Sequence, residues 1–423
     1  MEKYILSIGR NDYRYYSGGT NKVIKAHSEL FKKNEIGYIF ICPVKNSAGQ
    51  YFHVIKNQCY KGVFYVSDIP LMLGMENIVE IHIHSIIDAS IDATYYILKS
   101  LRSRIRYYLH DYYTICPSYK LLRNDKTFCG YSKMSESKCN GCKYLSEFKR
   151  ETEIILFLEK IKDRTTFIAP SDYVKHSWSK AFPEYSDEIE VIYHQELIGE
   201  YKGNSKCNNI PRIAYLGEPI DSKGWSIFNK TYELSNKDKM EFYYFGQYKV
   251  DKTFRRITVC FNKNLDGMIE ALRANEIDCA LLWASCGETY SYTYYECLAA
   301  NVFVITNRMS GNICDQVEER GNGIVLSSEK ELFDLFSDSE KLKKLIVAYK
   351  ESNQKCPGLL VENRSVLDSI RNTDNCFECR GTSSNAYSQY SAKKYIKEKI
   401  VAGTMTAYYM VKQIYYIMKK MMI

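Results

Sequence analysis

The chain has 423 residues, of which 45% are hydrophobic and 26% charged, and it carries a formal net charge of +8. This composition is typical of a folded globular protein and excludes a fully disordered chain, a collagen-like rod and a coiled coil. The length is too great for one ordinary core and predicts two domains of about 200 residues each.

The positive charge is concentrated at the C-terminus. Residues 391–423 contain seven lysines and one glutamate, which leaves a charge of only +2 for the rest of the chain. A nearly neutral body argues against nucleic acid as a partner.

The first residues are charged where a signal peptide has an apolar run, and the apolar stretches are shorter than a membrane-spanning helix requires. We therefore expect a cytoplasmic location, with the 15 cysteines mainly as thiols.

The first half of the chain alternates apolar strands with a helical pattern. Residues 4–9 predict a buried strand, residues 21–33 have helical spacing after a glycine pair, and residues 37–43 predict a second strand. This order predicts a parallel sheet covered by helices. Further strands are predicted at 78–84, 105–109 and 166–169.

The same pattern restarts after residue 200. Apolar strands are predicted at 212–217, 241–246, 256–261, 278–283 and 302–306. The polar stretch 201–211, which ends in proline, is the predicted join. We therefore expect an α/β fold of two Rossmann-like domains facing each other across a cleft. The predicted boundaries are residues 1–200, residues 201–370, and a linker with a basic helical tail over residues 371–423.

The segment GETYSYTYYECLAANVFVIT, residues 287–306, contains two glutamates eight residues apart. Ser291 or Thr289 can cap a helix between them, which places Glu288 in the preceding loop and Glu296 about two turns in, with ~12 Å for eight helical residues. A carboxylate suits the neighbouring hydroxyls of a sugar, and the N–H groups at a helix start suit a diphosphate. Two ordinary surface glutamates are the alternative.

This segment resembles the sugar-nucleotide motif of the retaining GT-B glycosyltransferases of family 4, and the resemblance covers about residues 1–345. In that motif two glutamates flank seven residues and precede a helix rich in small residues. The segment YLGEPIDSKGW, residues 215–225, resembles the family's strand, glycine and lysine element. The resemblance implies that Lys223 binds the donor diphosphate beside a turn at Gly217.

The sequence departs from this family at Glu218, where an arginine that also binds phosphate is common. A carboxylate cannot bind phosphate in this way, so Glu218 does not supply this half of the phosphate clamp. An arginine elsewhere in the domain could take its place, and the sequence does not decide among Arg255, Arg256 and Arg308.

The N-terminal half resembles the same family more loosely. Gly18 and Gly19 resemble its glycine pair, and His110 with Asp111 resembles its His-Asp element. The resemblance implies that the glycines let the backbone approach the donor and that His110 orients the donor sugar and the acceptor. A simple turn and a hydrogen-bonded histidine are the alternatives. The chain has no Asp-x-Asp motif, so we expect a metal-independent donor site that needs no cofactor.

Two groups of potential metal ligands are present. His82 and His84 alternate on a predicted strand and face the same side, but the sequence reveals no third ligand. Four cysteines, two of them in a CNGC pair, form a possible structural zinc site, with unpaired thiols as the alternative: Cys116, Cys129, Cys139 and Cys142. A further pair, Cys376 and Cys379, is too isolated to assign.

The tail, residues 393–423, predicts a helix with lysines at both ends and a broad apolar face. Its functional interpretation is an amphipathic helix on the anionic inner face of the cell membrane. A helix packed back on the enzyme and a dimer contact are the alternatives.

Together these features predict a retaining glycosyltransferase that moves a sugar from a nucleoside-diphosphate donor to a hydroxyl of a growing, lipid-linked surface glycan. The predicted catalytic residues are His110, Lys223 and Glu288. The predicted donor-binding residues are Gly18, Gly19, Gly217, Tyr290, Ser291, Tyr292, Thr293 and Glu296. An epimerase-like enzyme of the same fold and a non-catalytic scaffold in polysaccharide assembly are the alternatives, and Glu218 favours the scaffold.

Overall fold

The computed structural model describes residues 2–16, 18–202, 206–250, 253–259, 266–352, 355–356, 358–371 and 392–421. The strands are β1 Lys3–Ile8, β2 Gly37–Pro43, β3 Tyr51–Lys56, β4 Cys59–Tyr65, β5 Asn77–Ile83, β6 Arg104–Tyr108, β7 Leu122–Arg123, β8 Thr127–Phe128, β9 Thr165–Ala169, β10 Ile189–Val191, β11 Gln195–Ile198, β12 Tyr201–Lys202, β13 Arg212–Leu216, β14 Glu241–Phe245, β15 Arg255–Ile257, β16 Cys279–Leu282, β17 Phe303–Asn307, β18 Gly323–Leu326, β19 Lys355–Cys356 and β20 Leu359–Glu362. The helices are α1 Gly19–Lys33, α2 Ile69–Leu73, α3 Ile91–Lys99, α4 Glu136–Cys139, α5 Lys149–Ile161, α6 Asp172–Ala181, α7 Trp225–Leu234, α8 Gly267–Ala274, α9 Tyr292–Ala299, α10 Asn312–Arg320, α11 Glu329–Ser337, α12 Ser339–Ser352, α13 Ser365–Arg371 and α14 Ala392–Met421.

The N-terminal domain is built on an eight-stranded sheet in the order β10-β9-β6-β5-β1-β2-β3-β4. Strands β1, β2, β5, β6, β9 and β10 are parallel, and β2 is buried along its whole length because helices cover both faces of such a sheet. The antiparallel pair β3–β4 extends the sheet at one edge. Asn57 and Gln58, both with positive φ, make its two-residue turn.

The C-terminal domain has a six-stranded parallel sheet in the order β15-β14-β13-β16-β17-β18. This is the doubly wound order in which the first strand lies at the centre and the chain reverses direction beside it. Two apolar cores cover the two faces of this sheet, one of them centred on α8 and α9. The carboxyl ends of β13 and β16 therefore open at the point where such folds bind ligands.

Most predicted strands are confirmed to within one or two residues. The strands predicted at 4–9, 37–43, 78–84, 105–109 and 166–169 correspond to β1, β2, β5, β6 and β9, and those of the second half to β13 through β17. The prediction at 256–261 is longer than β15, and residues 260 and 261 lie outside the described residues. The sequence analysis missed β3, β4, β10 and β18 of the two large sheets, and all six strands of the three two-stranded sheets.

The chain crosses between the two domains twice. Strand β11 pairs with β20, and β12 pairs with β19, both antiparallel. After β20 the chain returns to the N-terminal domain, where Val366, Leu367 and Ile370 of α13 join a core with residues of β1 and α1. The predicted boundaries stay a prediction, but this packing places residues 365–371 with the N-terminal sheet and not with the 201–370 unit.

Helix α14 packs along the edge strand β4. The hydroxyl of Thr406 accepts a hydrogen bond from the backbone N–H of Val63, and the hydroxyl of Tyr409 donates one to Asp12, both at 2.8 Å. The helix therefore covers a sheet edge that would otherwise expose unpaired backbone groups. Among the described residues, no helix is long and apolar enough to span a bilayer. Cys376 and Cys379 lie outside the described residues.

Candidate active site

Helix α9 begins close to where the sequence predicts. Ser291 is its N-cap, and the Ser291 hydroxyl accepts a hydrogen bond from a backbone N–H of the first turn. Because α9 starts at Tyr292, Glu296 lies just over one turn into it, and the prediction of two turns was wrong. Glu288 instead forms an isolated parallel bridge with Gly311, which keeps the chain before α9 out of helical geometry. The ~12 Å expected for eight helical residues therefore does not apply.

Glu296 is buried at the cleft, and only one of its carboxylate oxygens has a partner. Oε1 lies 3.5 Å from Nζ of Lys22, which belongs to α1 of the N-terminal domain. Oε2 is buried and accepts no hydrogen bond from the described part of the chain. Burial raises the pKa of Glu296, and the charge of Lys22 opposes that rise. A buried acceptor of this kind is suited to a ligand hydroxyl.

The glycine pair lies across the cleft from α9. Gly18 has a φ of +145°, which glycine adopts without strain, and α1 begins at Gly19. A Cβ built on Gly19 would lie 3.6 Å from the ring of Tyr292, and Nζ of Lys22 lies 4.5 Å from the centroid of the same ring. The structure therefore brings the predicted glycine pair to the start of α9.

The predicted lysine element faces the same helix. Gly217 has a φ of +98°, and a Cβ built on it would lie 3.9 Å from Cγ2 of Thr293. Lys223 ends a short 3-10 turn, and Gly224 follows it in the left-handed conformation. The side chain of Lys223 is exposed, and its charge is among those that restrain the pKa of Glu296. Lys223 is therefore close enough to α9 for its charge to act on Glu296.

His110 follows β6 at the floor of the cleft. Its Nε2 lies 2.9 Å from Nδ1 of His84, and its ring centroid lies 5.1 Å from that of His194. Burial lowers the pKa of His110 to about 3, so the imidazole is neutral near pH 7. A neutral ring can orient hydroxyls but cannot neutralise a diphosphate.

The loop that carries Glu288 is fixed to the N-terminal domain. The hydroxyl of Thr289 donates to the backbone carbonyl of His110 at 2.8 Å, so Thr289 is not the helix cap. The carbonyl of Thr289 accepts a hydrogen bond from the Ser171 hydroxyl, also at 2.8 Å. These bonds hold the half-buried Glu288 and the floor residue His110 in one part of the cleft.

Tyr290 contributes differently from its neighbours. Its ring is buried against the rings of His194, Tyr292 and Tyr295, with centroid separations of 4.6, 5.1 and 4.6 Å. This packing commits the ring to the domain interface.

Solved structures share this architecture, although sequence comparison finds no relatives: no family model and no curated protein matches the chain. HepE from Anabaena, solved with UDP and glucose, superposes with a TM-score of 0.53 at 11% identity, covering 88% of this chain and 99% of that chain. Sucrose-phosphate synthase from Thermosynechococcus elongatus superposes with a TM-score of 0.53 at 9% identity, covering 88% of this chain and 98% of that chain. The fold is GT-B. At such identities the likeness establishes the fold alone, and membership of family 4 stays a prediction.

Within this GT-B cleft the three arginines considered as substitutes for Glu218 lie in different places. Arg255 pairs with Glu241 at 3.4 Å, at the amino end of β14. Arg308 is exposed and pairs with Glu318, also at 3.4 Å. Arg256 donates to the carbonyl of Gln247, just beyond the carboxyl end of β14, where a Cβ on Gly246 would meet the carbonyl of Gly217. Of the three, Arg256 is the one whose hydrogen bond lies next to the residue that packs on the glycine turn.

The four cysteines of the predicted zinc site lie in one neighbourhood, and each is a free thiol. Burial raises the pKa of Cys116 to about 11, with smaller contributions from the other three. Within the described ranges, however, no three of them bring their sulfur atoms within 4.8 Å of one another. The zinc site at Cys116, Cys129, Cys139 and Cys142 stays a prediction.

Sequence reasoning missed three residues that line the cleft, namely Lys22, His194 and Glu362. A cavity of about 110 Å³ lies between the domains and is bounded by Lys22, Gln195, Asp266, Ile269, Tyr292, Glu296, Leu360 and Glu362. Lys22 follows the glycine pair by one helical turn, so its position could have been inferred. Glu362 reaches the cavity through the pairing of β20 with β11, which no local pattern reveals.

Glu362 is expected to make ligand binding in this cavity depend on pH. Burial raises the pKa of Glu362 to about 7, so this carboxyl ionises near neutrality. Above pH 7 its negative charge repels an anionic ligand in the same cavity, and below pH 7 it is neutral. We expect the Kd of a nucleoside diphosphate to rise ~5- to 10-fold between pH 6 and pH 8, as for like charges several ångströms apart. Calorimetric titration across this range measures it.

The matched control for this prediction is Glu329, an exposed glutamate on α11. Glu362→Gln should flatten the pH dependence, and Glu329→Gln should leave it unchanged. A Glu362→Gln variant with the same pH profile as the wild type would assign the dependence to another group.

Proposed function

We propose that this protein is a retaining glycosyltransferase that transfers a sugar from a nucleoside-diphosphate donor to a hydroxyl of a growing, lipid-linked surface glycan. The observation that carries the proposal is the buried Oε2 of Glu296, which has no hydrogen-bond partner among the described residues, in a GT-B cleft where Gly19 and Gly217 both lie close to the start of α9. Glu296 would accept hydrogen bonds from the ribose hydroxyls, displacing Lys22. Because HepE was solved with UDP and glucose, a uridine diphosphate sugar is the first donor to test.

The chemistry assigned to each residue follows from its charge and position. Lys223 and the first N–H groups of α9 stabilise the negative charge that develops on the leaving diphosphate. Glu288 accepts hydrogen bonds from the donor sugar, and neutral His110 orients sugar and acceptor. In a front-face reaction, with an oxocarbenium-like transition state, the leaving diphosphate takes the proton of the acceptor hydroxyl. These groups supply the required charge without a metal ion.

Domain closure would protect the donor from water. The bonds from Thr289 to His110 and from Ser171 to Thr289 join the domains beside the proposed reaction centre. Lys120 adds a third, donating to the Ser222 hydroxyl at 2.9 Å. Closed-site chemistry of this kind limits hydrolysis.

Thermal stability with nucleotide sugars tests the proposal. UDP-, GDP-, ADP- and CMP-sugars are added to the purified chain, with and without Mg²⁺. One nucleotide class at 100 times its Kd should stabilise the protein by ~2.7 kcal/mol without metal. Lys223→Ala should reduce this shift, whereas Lys230→Ala, which alters an exposed lysine on α7, should not. No shift with any donor would favour the scaffold, and donor cleavage without an acceptor would favour the epimerase-like alternative.

We further propose that α14 binds an anionic membrane surface. Its one face packs on the enzyme through Thr406 and Tyr409, and the opposite side exposes a run of apolar residues: Ile400, Tyr408, Val411, Ile414 and Tyr415. Lysines flank this run. With α14 bound at the membrane surface, the cleft would lie close to lipid-linked acceptors.

Sedimentation with phospholipid vesicles measures this binding. The wild type should co-sediment with vesicles containing anionic phosphatidylglycerol and much less with neutral phosphatidylcholine. Tyr408→Ser with Val411→Ser should weaken binding about 10-fold or more, since each buried apolar side chain contributes ~1.5–3 kcal/mol. Leu234→Ser, at a residue 59% exposed on α7, is the control. If the α14 double variant and Leu234→Ser bind vesicles equally well, α14 does not form the membrane contact.

A further inference from the structure

Three histidines meet inside the N-terminal domain, below the cleft. His82 lies on β5, His84 directly follows it, and His27 comes from α1, which packs above the sheet. One potential ligand atom from each of the three lies within 4.8 Å of those from the other two. Within the described ranges this is the one group of three or more His, Cys, Asp or Glu side chains that meets this distance. His27 is thus the third potential ligand, which the sequence did not reveal for the pair His82 and His84.

Each of the three rings has a buried nitrogen without a partner. Nδ1 of His27, Nδ1 of His82 and Nε2 of His84 are buried and form no hydrogen bond with the described residues. Buried ring nitrogens that make no hydrogen bond are unfavourable, and one ligand shared by the three rings would satisfy them.

The other nitrogens of the two strand histidines are held in the manner of metal ligands. Nε2 of His82 lies 2.7 Å from the carboxylate of Glu80, which also pairs with Arg106 at 3.1 Å. Nδ1 of His84 lies 2.9 Å from Nε2 of His110. A histidine that binds a metal through one nitrogen usually has the other hydrogen-bonded to a carboxylate or a similar acceptor.

We propose that His27, His82 and His84 bind a divalent transition-metal ion, with Zn²⁺ as the first candidate. Imidazole nitrogen suits zinc, copper, nickel and iron, whereas Mg²⁺ and Ca²⁺ require oxygen ligands. Zinc–nitrogen bonds of ~2.0–2.1 Å place tetrahedral ligand atoms ~3.3 Å apart, so the three rings close slightly around the ion. Three imidazoles leave one tetrahedral position for a non-protein ligand.

The ion would fix the orientation of His110. With the metal on Nε2 of His84, the proton of that ring must be on Nδ1, from which it donates to Nε2 of His110. His110 then carries its own proton on Nδ1. His84 would thus be a positioning residue for the proposed active site, and this consequence, unlike the metal site itself, rests on the proposed function.

Metal binding by the full chain tests the site. The protein, with any purification tag removed, is stripped by a chelator and titrated with Zn²⁺ and with Co²⁺, and bound metal is counted by elemental analysis. We expect one ion per chain and a Co²⁺ visible spectrum typical of tetrahedral nitrogen coordination, without the near-ultraviolet absorption of cobalt–thiolate bonds. Thiolate absorption would instead assign the ion to the cysteines and overturn the proposal.

Variants separate this site from the other possible ligands. His27→Gln should weaken metal binding at least 100-fold, and Glu80→Gln should weaken it ~10- to 100-fold. Cys139→Ser with Cys142→Ser, and His176→Gln at an exposed histidine of α6, should bind like the wild type. Because His27 is half-buried, circular dichroism is used to check that His27→Gln is folded before its metal binding is compared. Unchanged binding by folded His27→Gln, or no stoichiometric binding by the wild type, would overturn the proposal.

The outcome is independent of donor binding. The titration uses no nucleotide, so a chain that binds one Zn²⁺ through the three histidines but no nucleotide sugar would contradict the proposed function alone. A chain that binds donor but no metal would contradict this inference alone.

Discussion

Replacing Glu288 by alanine is expected to lower kcat/KM for sugar transfer by ~10²- to 10⁴-fold without unfolding the protein. The half-buried carboxylate is proposed to accept two hydrogen bonds from the donor sugar, and bonds to a charged group contribute ~1.5–3 kcal/mol each. Each ~1.4 kcal/mol is a factor of ten in rate. The measurement is the initial rate of transfer with the donor class that the thermal-shift panel selects.

The fold should survive because the backbone of Glu288, not its side chain, shapes the loop. Glu288 bridges to Gly311, and its carbonyl accepts a hydrogen bond from the N–H of Asn312 at 3.0 Å. Glu288→Gln, which keeps the hydrogen-bonding shape but loses the charge, should fall between alanine and wild type. Glu351→Ala, at an exposed residue of α12, should have no effect. Full activity of Glu288→Ala would remove this residue from the reaction.

The parts of the fold that depend on local pattern could be predicted from the sequence. Strand β2 is apolar throughout because both faces are covered, and Ser291 caps α9 because its hydroxyl can reach the first turn. These signals lie within a few residues of the structure they determine. The error in the position of Glu296 has a different origin, because a helix capped by Ser291 has Glu296 as its fifth residue, just over one turn in.

The parts of the site that depend on distant pairing could not be predicted. Glu362 lines the cavity because β20 pairs with β11, more than 150 residues earlier in the chain. His27 meets His82 because α1 packs on the sheet beside β5, and the helical pattern of α1 predicts a buried face but not its partner strand. Polar residues such as Glu362 and His27 can be recognised as site residues only once the strands and helices are packed together.

Replacing Asp278 by alanine is expected to destabilise the C-terminal domain by ~3–5 kcal/mol, the largest stability effect that we predict. Asp278 and Lys350 form an ion pair of 2.5 Å, and both side chains are almost fully buried, 0% and 4% exposed. Removing the carboxylate leaves the ammonium buried without its counter-charge. Asp278 also accepts hydrogen bonds from the backbone N–H and side-chain amide of Asn208 and from the backbone N–H of Arg212.

Chemical denaturation with a probe of the C-terminal domain measures this loss, and a double variant tests its cause. If the unpaired charge dominates, Asp278→Ala with Lys350→Met should be less destabilised than Asp278→Ala alone, because no charge is then buried. Glu276→Ala, which breaks an exposed pair with Arg212 nearby, should cost less than ~1 kcal/mol. If the double variant is as unstable as Asp278→Ala, the hydrogen bonds from Asn208 and Arg212 stabilise the domain more than the ion pair does. Asp278 would then act mainly by joining the start of β13 to the strand beside it, and the ion pair would be secondary.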